Sequence, residues 1–248
     1  MLSRGYLFIE EKLEKNAKLK EAIPFMILLI LGYYVFSPMV FRAELPLTDA
    51  SGHYFKTWYL KKSIEEFKEF PNWCSYWYGG YPIFHFYSPG AYVLIYALHK
   101  ASSLPLTESF NTLFAIFAIS ESIMLYLIMT RLNFPKIPSL LSGMLLLSNP
   151  RFIKDIGYSG SITYHVAAIP AFTSIFFLIS AFKTKSKYYT MLSGIFFGIT
   201  ILCHQTTTIA LLSPLFLIVS AVYLIFERDK KLIWIPLTSI LVGFVISS

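Results

Sequence analysis

The chain is divided into long apolar blocks separated by short stretches that carry nearly all of its charge, and this pattern leaves few folds open to it. The blocks are Ile23 to Phe41, Phe110 to Leu132, Ile137 to Asn149, Ile162 to Phe182, Tyr188 to Cys203, Thr206 to Phe226 and Leu232 to Ser247. Most are long enough to cross a bilayer as helices, for which about 20 apolar residues suffice. With 56% hydrophobic and only 14% charged residues, a chain of this size has more apolar surface than one soluble core hides. The expected fold is all-α, a polytopic membrane helix bundle of about seven spans.

Charge sets the expected orientation. Tyr6 to Glu21 mixes Leu7, Leu13, Ala17 and Leu19 with acids and lysines, as in a helix lying on a membrane surface, so residues 1–22 are expected to form a cytoplasmic amphipathic segment. No small-residue cleavage site follows the first block, which is therefore expected to be an uncleaved anchor. If Ala91 to Leu98 crossed the membrane, 8 Lys and Arg would face the cytoplasm and 13 would not; if it lies in the outer interface, the numbers reverse. The positive-inside rule favours the second arrangement. Residues 23–248 then form one membrane domain with a large outer loop over residues 42–109. The amino terminus is cytoplasmic and the location is the cell membrane. The basic residues sit in loops at block ends, so the net charge of +7 orients the chain and does not imply nucleic acid. The last block runs to the chain end without a basic anchor, and the expectation is the N-terminal part of a longer protein.

Within the outer loop, His53 to Phe70 has the amphipathic pattern of an interfacial helix starting at Thr48 and Asp49. Asp49 and His53, four residues apart, share one face of that helix. They could form a general base with an orienting partner or two ligands of a metal, or Asp49 could serve only as the helix cap. Next comes an aromatic run holding Trp77, Tyr78, Tyr81 and Tyr87, with His85 among them and with Gly79, Gly80, Pro82 and Pro89 forcing turns. Such rings stack on sugars or form a headgroup-level belt. Arg151 and Lys154, beside Asp155, could grip a phosphate or lipid headgroups. His204 makes a tight turn between two spans, His165 sits just inside another, and Glu121 is the one acid expected inside a span. Cys74 and Cys203 lie near the same expected face but are too few for a disulfide framework. There is no Walker loop, HExxH helix, CxxC pair or hydrolase nucleophile pattern.

The motifs Leu47-Thr48-Asp49-Ala50-Ser51-Gly52-His53, Trp77-Tyr78-Gly79-Gly80-Tyr81-Pro82 and Phe86-Tyr87-Ser88-Pro89, set in this layout, resemble the GT-C membrane glycosyltransferases. Closest are archaeal multispanning proteins labelled as 6-pyruvoyl-tetrahydropterin-synthase-related domains, a label that carries no pterin chemistry here. The resemblance implies transfer of a sugar from a polyprenyl-phosphate donor to an acceptor hydroxyl on the non-cytoplasmic face. It implies Asp49 as catalytic base or metal ligand with His53 beside it. The sequence has no clear second aspartate for a DxD arrangement and offers His53 instead, and a divalent cation such as Mg2+ or Mn2+ is the cofactor to be tested. The substrate-binding candidates are Trp77, Tyr78, Tyr81, His85, Tyr87, Arg151, Lys154 and His204. The partners expected are membrane lipids and the polyprenyl-phosphate sugar donor. The rivals are a transporter or lipid-carrier flippase, with Glu121 and the histidines along a path, and a non-catalytic fragment.

Overall fold

A computed structural model describes residues 17–41 and 44–248. Most of the expected amphipathic segment at residues 1–22 lies outside the described residues. The described chain is a bundle of helices: α1 Ala17–Phe41, α2 Ala50–Lys62, α3 Ile83–Phe86, α4 Gly90–Ser102, α5 Leu106–Arg131, α6 Lys136–Leu147, α7 Pro150–Lys154, α8 Ile162–Thr184, α9 Lys187–Cys203, α10 Gln205–Glu227 and α11 Trp234–Ser247. Among the described residues, β pairing is confined to one isolated bridge between Cys74 and Tyr81.

Among the described residues, four segments are long and apolar enough to cross a membrane: Glu21–Phe41, Leu106–Arg131, Ile162–Thr184 and Gln205–Glu227. Helices α6 and α9 are shorter and apolar, as is the segment Lys231–Ser247. The 13 residues of α4 reach only about 20 Å at the rise of a helix. The outside of the bundle is apolar, with Ile30 65% and Ile209 73% exposed, a surface that suits lipid and not water.

The helix ends follow local rules. Asn149 accepts from the amides of Arg151 and Phe152, and Pro150 occupies the first position of α7, where a missing N–H costs nothing. Ser103, Asn133, Lys185 and Arg228 take left-handed backbone where α4, α5, α8 and α10 stop. Two cores hold the bundle. Phe110, Phe114, Leu147 and Ile162 belong to one, joining α1, α4, α5, α6 and the start of α8. Leu178, Phe182, Phe197, Phe216 and Ile235 belong to the other, joining α8 to α11.

The expected interfacial helix starts where Thr48 and Asp49 marked it, at Ala50, and is corrected at its far end: beyond Lys62 it continues only as a wide π-type turn, Ser63–Phe67, closed by left-handed Lys68. Asp49 makes no side-chain cap hydrogen bond, because its carboxylate faces Ser161 instead of the helix amides. The buried face carries His53, Lys56 and Thr57 besides Tyr59 and Leu60, whereas Phe67 and Phe70 are exposed. Cys74 and Cys203 are both free and buried.

Candidate functional site

Three segments are drawn together at one end of the bundle. The irregular stretch before α2 docks on the π-type turn Asp155–Ser159 after α7: the Leu47 amide donates to the Tyr158 carbonyl at 2.9 Å and the Asp49 amide to the Ser159 carbonyl at 2.8 Å. The Thr48 hydroxyl adds a bond of 2.8 Å to the same Ser159 carbonyl. Gly160 makes this approach possible. Its φ of +74 suits glycine, and a Cβ there would lie 2.5 Å from that of Ala50. The third segment, Tyr87 to Gly90, is seated on the end of α9 by a Ser88 hydroxyl bond to the Ile201 carbonyl at 3.2 Å. A Cβ on Gly90 would stand 3.2 Å from the Leu202 carbonyl oxygen.

The result is a cavity of about 290 Å³ lined by Asp49, His53, Tyr87, Asp155, Ser161, Thr163, Tyr164 and His204. Beside it lies a cleft of about 810 Å³ whose wall includes Arg151, Lys154, Asp155, Tyr164 and His165. Asp155 and Tyr164 belong to both. The wider cleft falls in the size range of small-ligand sites, and the smaller cavity adjoins it.

Of the residues expected from sequence, Asp49, His53, Tyr87 and His204 therefore share one cavity, and Arg151 and Lys154 share the next. Trp77, Tyr78, Tyr81 and His85 line neither. Trp77 packs edge-on against Phe55, Tyr78 stacks on Trp77 while 83% exposed, Tyr81 sits against the small cluster of Tyr59, Cys74 and Ile83, and His85 is exposed.

His53 is buried, with Nδ1 2.9 Å from the Tyr92 hydroxyl. Burial, then the charge of Lys56, then His204 pull its pKa from 6.5 down to about 4. It is a neutral imidazole at pH 7, available as a hydrogen-bonding group at the cavity wall. Tyr92 is held well above the ordinary phenol value by burial, so it remains a neutral hydroxyl.

Sequence alone did not single out Lys56. Its ammonium is buried 4.6 Å from the centre of the Trp77 ring and 4.5 Å from that of Tyr87, with the Gly52 carbonyl at 3.4 Å. Burial lowers its pKa, and Asp49 opposes the shift. Trp77 thus belongs to the wall behind Tyr87, through a cation, and not to the cavity surface.

Asp155 is the other residue that sequence underrated. Its Oδ2 accepts from His165 Nε2 at 3.1 Å, while His165 Nδ1 lies 2.6 Å from Glu121 Oε1. The bond from His165 holds the Asp155 carboxyl below the usual range, with Ser159 and Arg151 acting in the same direction. It is an anion at neutral pH.

The expected metal pair Asp49 and His53 finds no completing ligands. Among the described residues, no group of three or more His, Cys, Asp or Glu side chains is placed to hold a metal ion. Asp155 and His53 are turned to His165 and Tyr92. The donor set does not fit the expected divalent cation, and no step is derived through one.

The chain matches no known family model and no curated protein.

Proposed function

We propose that the protein is a membrane glycosyltransferase that moves a sugar from a polyprenyl-phosphate donor to an acceptor hydroxyl. The observation that carries this is the joining of two unlike compartments through Asp155 and Tyr164: an acid-and-imidazole cavity holding Asp49 and His53, and a wider cleft holding Arg151 and Lys154. A phosphate suits the cationic cleft, because Arg and Lys form charge-assisted bonds to its oxygens. A sugar suits the junction, where carboxylate, hydroxyl and imidazole groups are close together.

The chemistry follows from that division. Asp49 accepts the proton of the acceptor hydroxyl, whose oxygen bonds to the anomeric carbon as the bond from that carbon to the phosphate oxygen breaks. The phosphate leaves with the electron pair, and Arg151 and Lys154 stabilise its charge. Membranes holding the inserted protein are expected to transfer labelled sugar from a polyprenyl-phosphate donor. Complete absence of transfer with every polyprenyl-phosphate sugar supplied would overturn the assignment.

The same proposal includes seven crossings, with α6, α9 and α11 spanning beside the four longer helices and with residues 42–109 on the non-cytoplasmic side. In support, the loops joining α5 to α6 and α8 to α9 meet at the bundle end opposite the cavities, where Lys183 bonds the Arg131 carbonyl and Asn133. Membrane-impermeant labelling of single cysteines in intact cells is expected to mark positions 49, 100 and 204 and to spare 185 and 230. Labelling at 185 but not at 100 would reverse the orientation.

A transporter or flippase is the second reading, and one observation favours it: the chain from Asp155 through His165 to Glu121 leads from the cleft into the bundle. Against it, the next charged residue along α5 is Arg131, near the far end, so this polar chain stops short of a transmembrane path.

A further inference from the structure

His165 is 1% exposed and lies between two carboxylates, Glu121 of α5 at 2.6 Å and Asp155 at 3.1 Å. The rings of Phe114, Phe152 and Tyr164 surround it at centroid distances of 5.2, 5.3 and 5.3 Å and set its plane. A neutral imidazole has a single N–H, and an ionised carboxylate only accepts. Two ring-to-carboxylate bonds therefore need two protons among the three groups, leaving the trio with a net charge of −1. Glu121, 3% exposed, is costly alone at that depth, and the imidazole supplies its partner. A buried ionic trio stabilises a fold no better than well-packed apolar groups of its volume, so packing alone does not call for it. What distinguishes this trio is its outer member, since Asp155 lines both cavities, whereas His165 reaches only the wall of the wider cleft and Glu121 lines neither.

We propose that His165 and Glu121 are positioning residues for Asp155: the ring donates one N–H to each carboxylate and so holds Asp155 as an oriented anion at the cavity junction, where it accepts hydrogen bonds from the hydroxyls of a polyol. The polyol as the transferred sugar rests on the glycosyltransferase reading; the charge arrangement does not. Of the other groups facing Asp155, Arg151 draws its pKa down. Lys154 and Tyr164 flank it in the cleft, and Asp49, His53 and His204 stand across the smaller cavity.

The test uses the full chain in lipid nanodiscs. With 15N-labelled histidine, the His165 ring, identified by its loss in His165→Asn, is expected to show two N–H groups at pH 7. A ring with one N–H overturns the proposal. With 13C-labelled aspartate, the Asp155 carboxylate is expected to titrate below the ordinary range and to move up by about one pH unit or more in His165→Asn. An unmoved midpoint also overturns it. Glu121→Leu, which removes both the charge and the acceptor of one ring N–H, is expected to remove one of the two ring N–H groups, and retention of both at pH 7 counts against the trio. Where transfer is measured, the sign follows from the depressed value: Asp155 stays charged to low pH in the native protein, so His165→Asn shifts the acid limb of kcat/KM to higher pH. A purely structural role lowers activity equally at every pH. If no transfer is found at all, the glycosyltransferase reading falls while the two NMR measurements still decide the trio.

Discussion

Asp49→Asn in the full-length protein is expected to reduce sugar transfer by roughly a hundredfold to ten-thousandfold, the range for loss of a general base, with insertion and accumulation unchanged. The substitution keeps the shape of the side chain and removes its capacity to take a proton. Asparagine caps helices as well as aspartate does, and here no cap bond exists to lose: among the described residues the one side-chain partner of Asp49 is the Ser161 hydroxyl, donating at 3.4 Å, a contact the asparagine carbonyl oxygen retains. The backbone bond from the Asp49 amide to Ser159 is unaffected. A structural role therefore predicts almost no effect. Transfer is measured in membranes at saturating donor, with Glu66→Gln, an exposed residue paired with Lys62 outside both cavities, as the control. Near-normal transfer in Asp49→Asn would remove Asp49 as the base.

The largest expected loss of stability comes from the contact between α9 and α11. These helices touch through their backbones: a Cβ on Gly194 would lie 2.6 Å from the Ser239 carbonyl oxygen, and one on Gly198 would lie 2.6 Å from that of Gly243. From the other side, a Cβ on Gly243 would meet the Phe197 ring at 2.7 Å. The Ser239 hydroxyl donates to the Thr190 carbonyl at 3.0 Å across the same seam. Glycines four apart allow this approach, and close packing is what associates helices when lipid is the surrounding solvent. Gly198→Leu is expected to force the pair apart. Overpacking of this kind costs about 1 to 3 kcal/mol per site, and the obstruction here is backbone, which yields less than a side chain. Thermal unfolding in detergent should show a clear drop in Tm and in the monodisperse fraction. Gly157→Ala, at a glycine where a Cβ would meet nothing within 4 Å, should show little change. Equal melting of the two variants would refute the close contact.

The helices were legible because most apolar blocks are bounded by charge or proline. Pro105 precedes α5, Pro135 precedes α6 and Asn149 with Pro150 starts α7, and such signals act within one turn of the chain. The extent of α2 was less legible. An amphipathic pattern continues through Phe70, but Lys68 turns left-handed and ends the helix, which no residue type at that position announces. The grouping of Asp49, His53 and His204 was foreseen only as a shared end of the bundle. The trio was not foreseen, because Glu121 and His165 are 44 residues apart and carry no joint motif.

Local sequence thus determined an all-helical, apolar chain with helices long enough for a membrane, and it marked one bundle end as rich in acids, imidazoles and cations. That much depends on hydropathy and helix-end chemistry, which are properties of neighbouring residues. Tertiary structure alone decided that Asp49 faces Ser161 and does not cap α2, that Lys56 is buried between Trp77 and Tyr87, and that Asp155 joins His165 and Glu121. Each depends on close approach between segments distant in the chain. Around Asp49 and Tyr87 that approach is permitted by the bare backbone of Gly160 and Gly90 and held by the Ser88 bond to Ile201, features whose partners become visible only when the helices are packed.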